Sequence, residues 1–171
     1  TMAKKIRTEE PQALLFDGKS VVLLSGGRHS AYAGLCAMRT DQTPVEGVFL
    51  NHSQSEGPRQ EPAVHYVAQR LGLEITTLQS GEIPEIGGGD YEGRNEILIR
   101  ECVSNGAKRI WMGIRHTFPW FDRRGDSNLI WLRRMEALYS VEILAPCAYD
   151  FTGARIIRAL EHHGVFPARL S

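Results

Sequence analysis

The feature that most constrains this chain is a repeated alternation of short β-type runs with helical runs, beginning at Val21 and continuing to His163. The strand-like runs fall at Val21–Leu24, Val45–Leu50, Glu74–Leu78, Arg109–Gly113 and Val141–Ala145, each short, apolar and partly β-branched. Helical patterns follow them at Ser30–Arg39, Glu61–Leu71, Arg94–Asn105, Asn128–Tyr139 and Thr152–His163, with Gly72, Gly106 and Gly164 placed where helices would end. Such βα units predict one doubly wound α/β domain: a five-stranded parallel sheet, helices on both faces, right-handed crossovers, and a ligand crevice outside the carboxyl ends of the strands. Residues 1–18 read as a lead-in, because Glu9-Glu10-Pro11 discourages a long helix and Asp17-Gly18 marks a turn, so the domain is expected over residues 19–171. Gly81 to Gly93 reads as a glycine-rich loop.

Composition removes several classes of function. Lys plus Arg and Asp plus Glu each number 20, so the formal charge is zero and no global field recruits a polyanion. The nearest basic patch, Arg123-Arg124 with Arg133-Arg134, is short and mixed with acids, so nucleic acid is not the expected partner. The three cysteines, Cys36, Cys102 and Cys147, are widely spaced in apolar surroundings, a pattern of buried thiols in a reducing cytosol rather than of a disulfide framework or a metal site. The polar opening Thr1-Met2-Ala3-Lys4-Lys5-Ile6-Arg7 lacks an apolar core of signal-peptide length and no window approaches a membrane span, so a cytoplasmic protein with no membrane contact is expected.

By the crevice rule the chemistry collects at 25–30, 51–60, 79–95, 114–127 and 146–152. In Val21-Val22-Leu23-Leu24-Ser25-Gly26-Gly27-Arg28-His29-Ser30 an apolar strand empties into a small-residue turn and then a helix. Gly26 and Gly27 let several N–H groups converge, Ser25 and Ser30 add hydroxyls, and the helix start adds the positive end of its dipole: a phosphate cradle, or else an ordinary glycine turn. The stretch Asn51-His52-Ser53-Gln54-Ser55-Glu56-Gly57-Pro58-Arg59-Gln60-Glu61 offers hydrogen-bonding groups and the fork of Arg59, or is simply solvated. Arg94 and Asn95 open a helix after Gly93, where they could grip an anion or merely cap. Arg115-His116-Thr117-Phe118-Pro119-Trp120-Phe121-Asp122-Arg123-Arg124-Gly125-Asp126 mixes aromatics with charges, as a surface stacking a flat heterocycle would, or a packed partner surface. His65, His162 and His163 read as structural or exposed, and Trp111 and Trp131 as core.

On Ser25-Gly26-Gly27-Arg28-His29-Ser30 after a strand, the chain resembles the PP-loop ATP pyrophosphatases, whose signature is Ser-Gly-Gly-x-Asp-Ser. Within them it is most similar to the 7-cyano-7-deazaguanine synthases of queuosine-precursor biosynthesis, through Gln54, Arg59-Gln60-Glu61, Gly93-Arg94-Asn95, Met112-Gly113, Asp126 and Ala145-Pro146. The resemblance runs from about Lys19 to Val165 and implies a Rossmann-like domain of the adenine nucleotide alpha hydrolase type. It further implies ATP and Mg2+, a carbon–nitrogen ligase that adenylates a deazapurine carboxylate and converts it with ammonia to amide and nitrile, and a homodimer. Carried over residue by residue, it makes Ser25, His29, Ser30 and Arg94 catalytic. Leu23, Leu24, Ser25, Gly26, Gly27, Arg28, Ser30 and Gly113 would hold the nucleotide, and Gln54, Arg59, Arg94, Asn95, Arg115 and Asp126 the substrate.

The sequence departs from that pattern in three places. His29 stands where the signature has Asp, replacing a carboxylate with an imidazole. Cys147 is the only cysteine after Cys102, so the family's four-cysteine zinc cluster is missing and neither zinc nor any protein metal ligand is expected. Thr152-Gly153 stands where the family commonly has Thr-Lys. Two other functions stay open beside the ligase: a protein that binds nucleotide or deazapurine without turnover, alone or as a subunit, and a PP-loop enzyme that modifies tRNA.

Overall fold

In the central strands, successive side chains are buried alternately on opposite faces, as a sheet covered by helices on both sides requires. Val21 and Leu23 enter one apolar layer together with Val48, Leu50, Ile110 and Met112, while Val22, Leu24, Phe49 and Trp111 enter the other. The computed structural model describes residues 14–87, 90–91, 93–115, 128–148 and 153–171.

The main sheet is formed by β1 (Ser20–Leu23), β2 (Val45–Asn51), β3 (Glu74–Gln79), β6 (Arg109–Trp111) and β7 (Glu142–Leu144), all parallel, in the order β3-β2-β1-β6-β7. The chain winds outward from β1 through β2 to β3, then crosses back to place β6 on the other side of β1. The switch point therefore lies between the carboxyl ends of β1 and β6. Helices α1 (Arg28–Thr40), α2 (Gly57–Leu71) and α5 (Gly153–His162) supply Leu35, Val67 and Leu160 to one layer; α3 (Arg94–Ser104) and α4 (Leu129–Tyr139) supply Ile99, Cys102, Leu132 and Met135 to the other. The expected doubly wound, five-stranded α/β fold is the observed one.

Two expectations change in detail. Helix α2 begins at Gly57 rather than Glu61, because Pro58 suits the first helical turn, where a missing N–H removes no intrahelical bond. Four of the ten residues of the expected 51–60 loop, Gly57 to Gln60, are thus helical. The segment Gly81 to Gly93, expected as a loop, carries an antiparallel ribbon of β4 (Glu85–Gly87) and β5 (Asp90–Tyr91). Strands this short and glycine-rich carry no readable alternation.

Away from the crevice, Asp41 ties helix to sheet. Its carboxylate follows the last turn of α1, with its side chain only 1% exposed. It pairs with the Arg109 guanidinium and accepts from Trp111 Nε1 at 2.7 Å, both on β6. Replacing it leaves a buried indole N–H and a guanidinium short of their acceptor. Asp41→Ala is expected to lower unfolding free energy by about 1–3 kcal/mol, read from urea denaturation with unchanged slope.

Candidate functional site

The loop between β1 and α1 is shaped by its own two serines. Ser30 Oγ accepts from Ser25 N at 3.1 Å and donates to Gly27 O at 3.0 Å, and Ser25 Oγ lies 3.2 Å from Ser30 Oγ and accepts from Gly27 N at 3.4 Å. Gly26 takes φ +83° over Ala63, and a Cβ there would fall 2.9 Å from the Ala63 Cβ and 3.0 Å from Gln60 O, so only glycine lets the loop lie this close to α2.

The loop carbonyls are turned to donors in the body of the protein. Gly26 O accepts from Ser171 N at 2.9 Å, Ser25 O from Ser171 Oγ at 3.4 Å, and Gly27 O from Ala31 N at 3.1 Å as well as from Ser30. The N–H groups of Arg28, His29 and Ser30 precede the first intrahelical bond of α1, which runs from Ala31 N to Gly27 O. With its oxygens occupied and the N–H groups of a helix start at its end, the loop has the polarity of an anion cradle.

Beside it lies a cavity of about 500 Å³ at the β1/β6 switch point. The first loop contributes Leu23, Leu24, Ser25, Gly27, His29 and Ser30; the end of β6 contributes Met112, Gly113, Ile114 and Arg115. The β2 side contributes Phe49, Leu50, His52, Gln54 and Gln60, and the start of α3 contributes Arg94, Asn95 and Leu98. Gly113 is where the two halves meet. A Cβ there would stand 2.4 Å from Ser30 N and 2.5 Å from the His29 carbonyl carbon, so no side chain is compatible with this approach of β6 to α1.

Ionisable groups among the described lining residues are His29, His52, Arg94 and Arg115, and none is a carboxylate. Burial, then the Arg28 and Arg115 guanidinium groups, lower the His29 pKa. Burial, then Arg94, lower that of His52. Both imidazoles are therefore neutral at pH 7, one donor and one acceptor each, beside fixed cationic arginines. This set suits an anion. Among the described residues the lining offers no carboxylate to a magnesium ion, and no His/Cys/Asp/Glu group could hold a metal.

Most expected site residues converge: Leu23, Leu24, Ser25, Gly27, His29, Ser30, Gln54, Arg94, Asn95, Gly113 and Arg115 all line the cavity. Gly26 is buried, and Arg28 is exposed with its guanidinium carbon and both terminal nitrogens 3.6–3.7 Å from where a Gly153 Cβ would stand. Arg59 is not among the lining residues, because α2 starts early and carries it exposed in the first helical turn. Asp126, His116 to Arg124 and Thr152 lie outside the described residues. His52 lines the cavity without having been singled out, and Gln60, named above only for the resemblance and not as a site residue, lines it too; both fall in a segment that the crevice rule had marked.

The three cysteines do not gather. Cys102 is buried with α3 in one layer, its thiol pushed up to about 12 by burial, while Cys147 and Cys36 belong to the layer across the sheet. Cys147 Sγ instead donates to His29 O at 3.6 Å, behind the loop.

No known family and no curated protein matches the sequence. Among solved structures the fold is similar to a predicted subunit of tRNA methyltransferase from Methanocaldococcus jannaschii, with TM-score 0.54 and 13% identity over 90% of this chain and 92% of that one. It is also similar to the U34-tRNA thiolase NcsA from Methanococcus maripaludis, solved with its 4Fe-4S cluster, with TM-score 0.55 and 14% identity. That match covers 89% of this chain and 59% of the thiolase. At these identities the likeness is one of fold.

Two outcomes are expected. Gly113→Ala forces the α1 start away from β6 and lowers stability by about 1–3 kcal/mol, read from urea denaturation. For His52, the folded pKa lies below the unfolded 6.5, so below pH 6.5 the unfolded chain binds more protons and stability falls with pH. The urea midpoint should drop between pH 7.5 and 5.5, and less steeply in His52→Gln.

Proposed function

We propose that this protein is an ATP-dependent adenylating enzyme of the PP-loop type, acting on a small planar carboxylate of the 7-deazapurine class. The observation that carries this reading is the cavity itself. A loop whose carbonyl oxygens are taken up by the protein body and the residues Arg94 and Arg115 border one space that has no carboxylate among its described lining residues. That is an environment for a triphosphate and a second anion together.

The chemistry follows from charge. An acceptor carboxylate oxygen attacks the α-phosphorus of ATP, the bond from that phosphorus to the α,β-bridging oxygen breaks, and the β,γ-pyrophosphate leaves with the negative charge that develops. The N–H groups of Arg28, His29 and Ser30, which precede the first intrahelical bond of α1, would stabilise that charge. Neutral His29 adds a donor without an added charge, and Arg94 balances the acceptor carboxylate. Ammonia then attacks the acyl adenylate, forming the amide and releasing AMP. A second adenylation, on the amide oxygen, removes that oxygen with AMP and leaves the nitrile. Leu23, Leu24, Phe49 and Leu50 give the cavity apolar walls, which limit hydrolysis of the adenylate.

The two structural neighbours are named as tRNA-modifying proteins, which supports a second reading with RNA as acceptor. Against an iron–sulfur thiolation route stands the division of the three cysteines across the sheet, since such clusters are held by converging thiolates. The zero formal charge favours the small acceptor over RNA.

The test is pyrophosphate release from ATP and magnesium, with and without 7-carboxy-7-deazaguanine and ammonium, with product mass read in parallel. Release that depends on the deazapurine, with the amide or nitrile mass appearing, is expected. Arg94→Ala should then lower kcat/KM about a hundredfold, while His29→Asp should preserve or raise magnesium-dependent turnover. ATP binding without release in any variant would identify a binding protein, and release only with tRNA would favour the second reading.

A further inference from the structure

Gln60 lines the cavity, and a chain of hydrogen bonds that starts on the backbone at the end of β2 decides which way its carboxamide faces. Gln54 Nε2 donates to Leu50 O at 3.0 Å, and Gln54 Oε1 accepts from His52 N at 2.9 Å. Because one of these backbone groups must meet a donor and the other an acceptor, the Gln54 amide has a single orientation. Its second N–H then donates to Gln60 Oε1 at 3.1 Å. With the Gln60 oxygen taken, the amide atom turned away from Gln54 is Nε2, which carries two donors and no acceptor.

Among the described residues Gln60 Nε2 has no hydrogen-bond partner, and it is not sealed from solvent as both His52 ring nitrogens are. Gln60 is half-buried near the start of α2, and that end of the helix lies against the glycine loop. Its carbonyl oxygen is 3.0 Å from the position of a Gly26 Cβ, and its side chain shares one cavity with Ser25, Gly27 and Arg94. Arg59, the neighbouring cation, is exposed and not among the lining residues, so the helix offers the cavity an amide in place of a guanidinium. Two donors oriented by a relay of backbone origin, beside a loop whose carbonyl oxygens are occupied, match an oxyanion. A neutral amide supplies those donors without adding to the positive charge of the arginines.

We infer that Gln60 is a ligand-binding residue whose carboxamide N–H groups donate to an anionic oxygen of the bound ligand, supplied by a nucleotide phosphate or by the acceptor carboxylate. The inference rests on the adenylating reading for the identity of those ligands, but not on turnover.

The experiment is calorimetric binding of three probes, inorganic tripolyphosphate, ATP and 7-carboxy-7-deazaguanine, to the wild type, Gln60→Met and Gln60→Glu, with thermal melting to verify folding. Gln60→Glu keeps an oxygen for Gln54 and replaces the two donors with a second oxygen, so it separates a donor role from a purely structural one. Gln60→Met is expected to weaken the probe that supplies the oxygen by about tenfold, and Gln60→Glu to weaken it further. Weakening of tripolyphosphate and ATP together makes phosphate the source; weakening of the deazapurine alone makes it the carboxylate. Should Gln60→Met not fold, the Gln60→Glu result decides by itself. Wild-type affinity in Gln60→Glu, weakening of ATP alone, an equal change in all three probes, or no probe bound by the wild type overturns the inference. Absence of pyrophosphate release would sink the adenylating reading, whereas Gln60 is judged on binding.

Discussion

Everything at the site depends on how closely the end of β6 approaches the start of α1. At Gly113 the two backbones pass at a separation that no Cβ could enter, with the Ser30 nitrogen and the His29 carbonyl directly opposite. This contact joins the two halves of the doubly wound sheet at their switch point, so the loop after β1 and the segment after β6 line one cavity instead of two surfaces. Without it the N–H groups of the loop would face open solvent, where a bound anion gains far less from them.

The loop is held from behind as firmly as from the front. Ser171, Cys147 and Ala31 take up its carbonyl oxygens, and the Ser25 and Ser30 hydroxyls stabilise its turn internally. Stability and function are linked here through hydrogen-bond accounting: each oxygen satisfied by the protein body is one removed from the face that a phosphate would meet. The arginines and neutral imidazoles of the cavity continue the same polarity.

Legibility in the sequence followed the strength of local patterns. The β-branched runs and the helical periods between them located the strands of the main sheet and the helices to within a few residues, because each pattern reports a face that must be buried. Local signals failed where tertiary packing decided. The β4–β5 ribbon has strands too short to alternate, and Arg59 left the cavity when Pro58 moved the start of α2 forward. His52 carried no motif at all; its place at the cavity follows from a turn that the Gln54 and Asn51 hydrogen bonds shape.

The sequence by itself determined the fold class and the place of the glycine loop at the crevice, since a strand emptying into Ser-Gly-Gly and then a helix sets the helix start at the carboxyl end of the strand. Tertiary structure alone decided which of the post-strand segments share a cavity, that the cysteines lie on opposite sides of the sheet, and that Gly113 rather than a more typical turn glycine sets the closest contact. The physical reason is range. Hydrophobic period and turn chemistry act over a few neighbouring residues, whereas the convergence of residues 25–30, 52–60, 94–98 and 112–115 depends on strand order and crossover handedness across the whole sheet.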